Sequence, residues 1–124
     1  MSSTTQVVIT PDALLEHWQG HRRVTRRLID AFPEDKLFTF SGKASKTKAE
    51  LLRLWDADTA EINRLWPTIP QGRFQERDVA FGQWEMPIYG LLLYIIDNEI
   101  HHRGQGFAYL RALGIAPPPF YDRS

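Results

Sequence analysis

The sequence has 124 residues, enough for one hydrophobic core and too few for two independently folding units, so a single domain over residues 1–124 is expected. Hydrophobic residues make up 43% and charged residues 24% of the chain, which excludes a disordered tail or a coiled-coil rod. Fifteen basic residues balance fifteen acidic ones and there are no cysteines, so nothing draws the whole chain onto nucleic acid or an anionic membrane, and disulfides, thiolate-held zinc and a cysteine nucleophile are excluded. In chain order, Met1 to Gln6 is polar and lacks the pattern of a secretory leader, which fits a cytoplasmic protein. Thr10-Pro11-Asp12 combines an N-cap hydroxyl, a proline at the first helical position and an early acid, and predicts a helix to about Ala31, stopped by Pro33. Its stripe is Leu14, Trp18, His21, Thr25, Leu28 and Phe32, mostly apolar with two polar members.

Pro33 to Lys46 forms a connection of roughly a dozen residues, long for neighbouring helices. A second helix opens at Thr47, with Glu50 at capping-box spacing, and runs to Trp66 before Pro67; its stripe is Leu51, Trp55, Ile62 and Leu65. From Pro67 through Gln71-Gly72 to the alternating Val79, Phe81 and Gln83 there is no helical period, and a loop with a short extended piece is expected. Pro87 begins the longest helix, ending near Leu113 with Gly114 as its cap. Pro117, Pro118 and Pro119 then make Ile115 to Ser124 an extended tail. The longest apolar run, Ile88 to Ile96, is too short to span a membrane. Three long helices define an all-α bundle.

The last helix carries two rows. One is Leu91, Ile95, Asn98, His102, Gln105 and Tyr109; the other is Leu92, Ile96, Ile100, Phe107 and Leu110. Two such rows need partners on two sides, which predicts a homodimer with this helix near the interface. The same helix holds the densest polar cluster, Asp97 to Gln105, with Asn98 above His102 on the first row and Asp97 above His101 beside it. Two histidines four apart would make a platform for zinc or nickel, but the first member here is Asn98, a poor ligand.

The run from Asp97-Asn98-Glu99-Ile100-His101-His102-Arg103-Gly104-Gln105 through Tyr109-Leu110-Arg111-Ala112-Leu113-Gly114 to Pro117-Pro118 resembles the carboxy-terminal signature of the DinB-like (YfiT-like) family of proposed metalloenzymes. Phe32-Pro33-Glu34-Asp35-Lys36-Leu37 after the first helix is also similar to that family. The resemblance implies a four-helix bundle, commonly dimeric, with a divalent metal on three histidines, one from the second helix and two from the last. It implies metal-dependent hydrolase or thiol-dependent transferase chemistry. The last-helix pair maps to Asn98 and His102, so one histidine is an amide. The second helix is missing, because Phe38-Thr39-Phe40-Ser41-Gly42-Lys43 runs almost directly into what resembles the third. His102 alone remains of the triad. A bundle short of a helix exposes apolar rows, which again favours a dimer, formed in one version by exchange of helices.

Other candidates carry paired readings. His17 and His21, four apart, could grip a metal, or His17 is a surface residue and His21 a hydrogen-bonded core-edge one. A rebuilt metal site would join His21 and His102 to Asp58 or Glu61. Asn98, His102 and Gln105 could instead satisfy one another as a buried register-setting group, and Asp97–His101 could pair on the helix surface. Gly104 and Gly106 point to a close helix approach or to room for a ligand. Arg22-Arg23-Val24-Thr25-Arg26-Arg27 could hold phosphate or carboxylate, or form a solvated face paired with acids. Trp18, Trp55, Trp66 and Trp84 read as core or interface anchors. Two functions follow: a DinB-like scaffold with a degenerate metal site and no cofactor, which binds a small molecule or nothing, or a zinc or nickel enzyme using His102, assisted by His21.

Overall fold

The computed structural model describes residues 7–37 and 47–124. The polar start Met1 to Gln6 and the run from Phe38 to Lys46, on which the reading of a missing second helix rests, lie outside the described residues. Among the described residues four α-helices form: α1 (Pro11–Ala31), the one-turn α2 (Glu34–Leu37), α3 (Lys48–Leu65) and α4 (Ile88–Ala112). The three long ones begin and end within about a residue of the positions that caps and prolines mark. Thr10 Oγ1 accepts from the Ala13 amide and Thr47 Oγ1 from the Glu50 amide, each at 3.1 Å, so both hydroxyl caps form as the sequence requires. At the far end of α4, Gly114 takes a φ of +79° and the Ile115 amide reaches back to the Leu110 carbonyl at 3.0 Å, which closes the helix.

The segment expected to be loop contains two 3-10 turns, Trp66–Thr68 and Gln71–Gln75, and an antiparallel hairpin of β1 (Arg77–Ala80) and β2 (Trp84–Pro87). Ala80 pairs with Trp84, and the chain reverses through Phe81 and Gly82 with φ of +56° and +69°. That turn lacks the usual Asn-Gly signal, which is why the alternation at Val79 and Phe81 showed an extended piece but not its partner. The tail is irregular as expected, but it folds back along α1. Arg23 Nε donates to the Arg123 carbonyl at 2.8 Å and an Arg27 amine to the Asp122 carbonyl at 2.5 Å. A Cβ on Gly20 would lie 3.2 Å from the Arg123 Cβ, so a residue without a side chain lets the tail come close.

Helix α1 is central, with α4 and α3 packed against it. Its core divides in two. Leu14 joins Trp66, Phe74 and Ile96 at one end, and Val24 and Leu28 join Phe107 and Leu110 at the other. The row Leu92, Ile96, Ile100, Phe107 and Leu110 is therefore the packed face of α4. The other row is not: Ile95, Asn98, His102, Gln105 and Tyr109 are exposed. In a bundle of three long helices α1 covers one side of α4, and this row lies on the other side. Helix α3 has no fully buried residue and its Leu65 is exposed, a second departure from the expected stripes, because α3 too has a partner mainly on one side. Of the tryptophans, Trp66 is buried, Trp18 and Trp55 half-buried and Trp84 exposed.

Candidate functional site: a polar band between helices α1 and α4

Between the two apolar clusters α1 buries Gln19, His21, Arg22 and Thr25, and α4 buries Arg103. Glu99 is half-buried one turn before Arg103. The spacing is helical throughout: His21 and Thr25 stand four apart on α1, Glu99 and Arg103 four apart on α4, so the four side chains meet in one layer. Arg103 donates to the His21 carbonyl at 3.1 Å, and both its terminal amines reach His21 Nδ1 at 3.3 Å. A guanidinium has no acceptor, so Nδ1 is the bare nitrogen and the ring proton sits on Nε2. Burial, then the positive charge of Arg123, His17 and Arg103, pushes the His21 imidazole from 6.5 down to about 4.

The Thr25 hydroxyl has two acceptors in reach, Glu99 Oε2 at 2.7 Å and the His21 carbonyl at 3.2 Å. Its one proton favours the nearer carboxylate. Burial raises the Glu99 pKa, opposed by the Thr25 hydrogen bond and by the charges of Arg22 and Arg103. On the opposite side of α1, Arg22 lies over the Trp55 ring at 4.1 Å and donates to the Trp55 carbonyl and the Thr59 hydroxyl, while Trp55 Nε1 returns a bond to the Arg22 carbonyl. The four arginines of the run on α1 thus divide between two neighbours: Arg22 and Arg26 reach α3, the latter paired with Asp56 at 2.6 Å, and Arg23 and Arg27 hold the tail. The run is neither an open phosphate patch nor a face paired only with acids.

The residues singled out for metal binding lie apart in role. His21 belongs to the buried band, with Nδ1 occupied by Arg103. His102 and Asn98 are exposed, and His102 Nδ1 meets Gln105 Oε1 at 3.1 Å. Asn98 makes no bond in that group, and His101 sets its ring edge-on to His102 and does not pair with Asp97. Of the two carboxylates weighed for a rebuilt site, Glu61 is paired with Arg64 on the exposed face of α3, and Asp58 is exposed. Among the described residues no group of three or more His, Asp or Glu side chains could hold a metal ion. A single chain's described residues therefore do not fit the three-ligand centre that the resemblance implies: His102 is one good ligand beside an amide.

Glu99 and Arg103 escaped the sequence reading. The signal was present, since the packed row of α4 skips from Ile100 to Phe107 and helical spacing places Arg103 in that gap. A separate apolar groove of about 720 Å³ lies at the start of α1, lined by Val8, Leu14, Phe74, Tyr89 and Leu93 among others. No helix among the described residues is long and apolar enough to cross a membrane.

Among the described residues, three long helices around a buried polar band, with one small hairpin, define a helical bundle. The chain belongs to the DinB family, whose profile matches residues 39–124, from ahead of α3 through the tail. A search of curated proteins returned no match.

Proposed function

We propose that this protein is a DinB-family module with a degenerate metal site, which works as a homodimer by binding and not through a resident metal. One observation carries this reading. The outward face of α4 sets Asn98 and His102 among apolar side chains that are half open to solvent, Tyr94 at 52%, Ile95 at 40% and Tyr109 at 54%. Exposed aromatic and aliphatic groups on one helix face mark a surface made to be covered. The patch continues onto the hairpin, where Phe81 holds a left-handed backbone conformation that bulky residues avoid and packs edge-on against Trp84 and Tyr94. A second copy presenting the same face gives a closed, isologous contact.

A second reading, a zinc- or nickel-dependent hydrolase or thiol transferase, draws on His101 and His102 standing in ring contact on that face. Pairing two copies there would add a second chain's histidines to the single strong ligand of the first. Light scattering of the purified protein at micromolar concentration tests the assembly: twice the chain mass is expected, shifting to the monomer in Tyr94→Glu. A monomer mass for the unaltered protein, or a dimer indifferent to Tyr94→Glu and Ile95→Glu, contradicts it.

A further inference from the structure

We propose that the groove at the start of α1 is a binding site for a small, uncharged aromatic molecule that carries a single hydrogen-bonding group. The inference names the ligand class for the binding role proposed above and rests on that reading, but it uses a different part of the molecule from the outward row of α4.

The groove holds about 720 Å³, within the range of cavities that take a small organic ligand. Leu14 and Phe74, both buried, belong to the packed core and give it a fixed floor. Val7, Val8 and Ile9 line it in succession, and all three are exposed, Val8 completely. Three consecutive apolar side chains left in water are unfavourable unless something covers them. Tyr89 and Leu93, one turn apart on α4 and also exposed, complete the apolar lining.

The polar lining groups carry no charge at neutral pH. Thr10 is spent on its cap with the Ala13 amide. Arg73, between the lining residues Gln71 and Gln75, is turned to Glu76 and Asp78 at 2.7 and 3.4 Å. Nothing in the lining would therefore compensate an ionic guest. An adjoining recess of about 370 Å³ shares Thr10, Pro11, Gln71 and Phe74 with the groove and reaches Asp12, which disfavours an anion further. Gln71 and Gln75 make no side-chain hydrogen bond to other described residues, so their amides are free to give or accept one to a guest. The preference for a ring comes from the floor. Phe74 stands 5.1 Å from the Trp66 ring, and Trp66 6.2 Å from that of Trp18, so an aromatic guest on Phe74 extends a row of rings already packed together.

Fluorescence titration of the full chain with phenylnaphthylamine, two aromatic units joined through one N–H, tests this, with its sulfonated analogue anilinonaphthalenesulfonate as the charged comparison. The neutral probe is expected to bind saturably, one per chain, more tightly than the sulfonate, and to be weakened about tenfold in Val8→Glu, an exposed position whose change leaves the core untouched. Binding should be unchanged in Tyr94→Glu, so failure of the dimer shows in the mass and failure of the groove in the titration. No saturable binding of the neutral probe, the sulfonate bound as tightly, equal affinity in Val8→Glu, or loss of binding in Tyr94→Glu overturns the proposal. A dimer that Val8→Glu dissociates also overturns it, because the groove would then belong to a second copy.

Discussion

His21 is a buried base that stays neutral, and its proton balance sets how the molecule responds to acid. Its imidazole is held at about 4 against 6.5 in the unfolded chain, first by burial and then by neighbouring positive charge. The unfolded state therefore accepts a proton that the folded state refuses. The contribution of His21 to stability is present above about 6.5 and is lost as the pH falls toward 4. Glu99 has the opposite sign: burial raises it above 4.5, so its contribution is lost as the pH rises from 4.5 through its folded value. Urea midpoints measured between these limits should fall with acid in the unaltered protein and fall less in His21→Gln; an equal fall in both would assign the acid response elsewhere. Thr25→Val keeps the shape but leaves the Glu99 carboxylate without its donor, and about 1–3 kcal/mol of stability should be lost at neutral pH by urea denaturation. The sequence made part of this band legible. His21 and Thr25 stood on the stripe of the first helix as its two polar members, and the cluster from Asp97 to Gln105 was visible. The phase of that cluster was not, because both rows of α4 contain apolar residues and only the packing of α1 decides which row turns inward.

At the scale of elements, two glycines two residues apart on α4 behave oppositely. A Cβ on Gly106 would fall 2.7 Å from Leu28 Cδ2, and Leu28 is itself packed among Val24, Phe107 and Leu110. Gly106→Ala should force α1 and α4 apart and cost about 1–3 kcal/mol. Gly104 meets nothing within 4 Å, so Gly104→Ala should stabilise by about 0.5–1 kcal/mol through helix propensity alone. Thermal midpoints moving in opposite directions bear this out; a shift of the same sign in both would mean that the α1–α4 spacing is not set at Gly106. The ends of the three long helices were readable because Thr10, Thr47, Pro33, Pro67 and Gly114 act locally. The hairpin was not, since its turn uses Phe81 in a left-handed conformation, and the reason for that choice lies in contacts with Trp84 and Tyr94 that no local signal carries. The return path of the tail was equally hidden, because its hold on Arg23 and Arg27 runs through backbone carbonyls, which every residue offers.

For the whole molecule, the outward face of α4 joins the DinB fold to the proposed role. Asn98 and His102, the positions that the resemblance assigns to the metal, fall on an exposed row of α4 turned away from α1, and one of them is an amide. Membership of the family was legible from the carboxy-terminal third of the sequence; the exposure of Asn98 and His102 was not, since it depends on which helices the chain contributes around α4. In the proposed dimer a second copy would cover Tyr94 and Ile95, so Tyr94→Glu should give the monomer mass while the helical content stays unchanged. The most direct measurement is elemental analysis of the protein purified without chelator, beside His102→Ala. Metal at trace level in both preparations, unchanged after incubation with excess zinc or nickel and desalting, is the predicted result; near-stoichiometric zinc or nickel that disappears in His102→Ala would contradict a degenerate site.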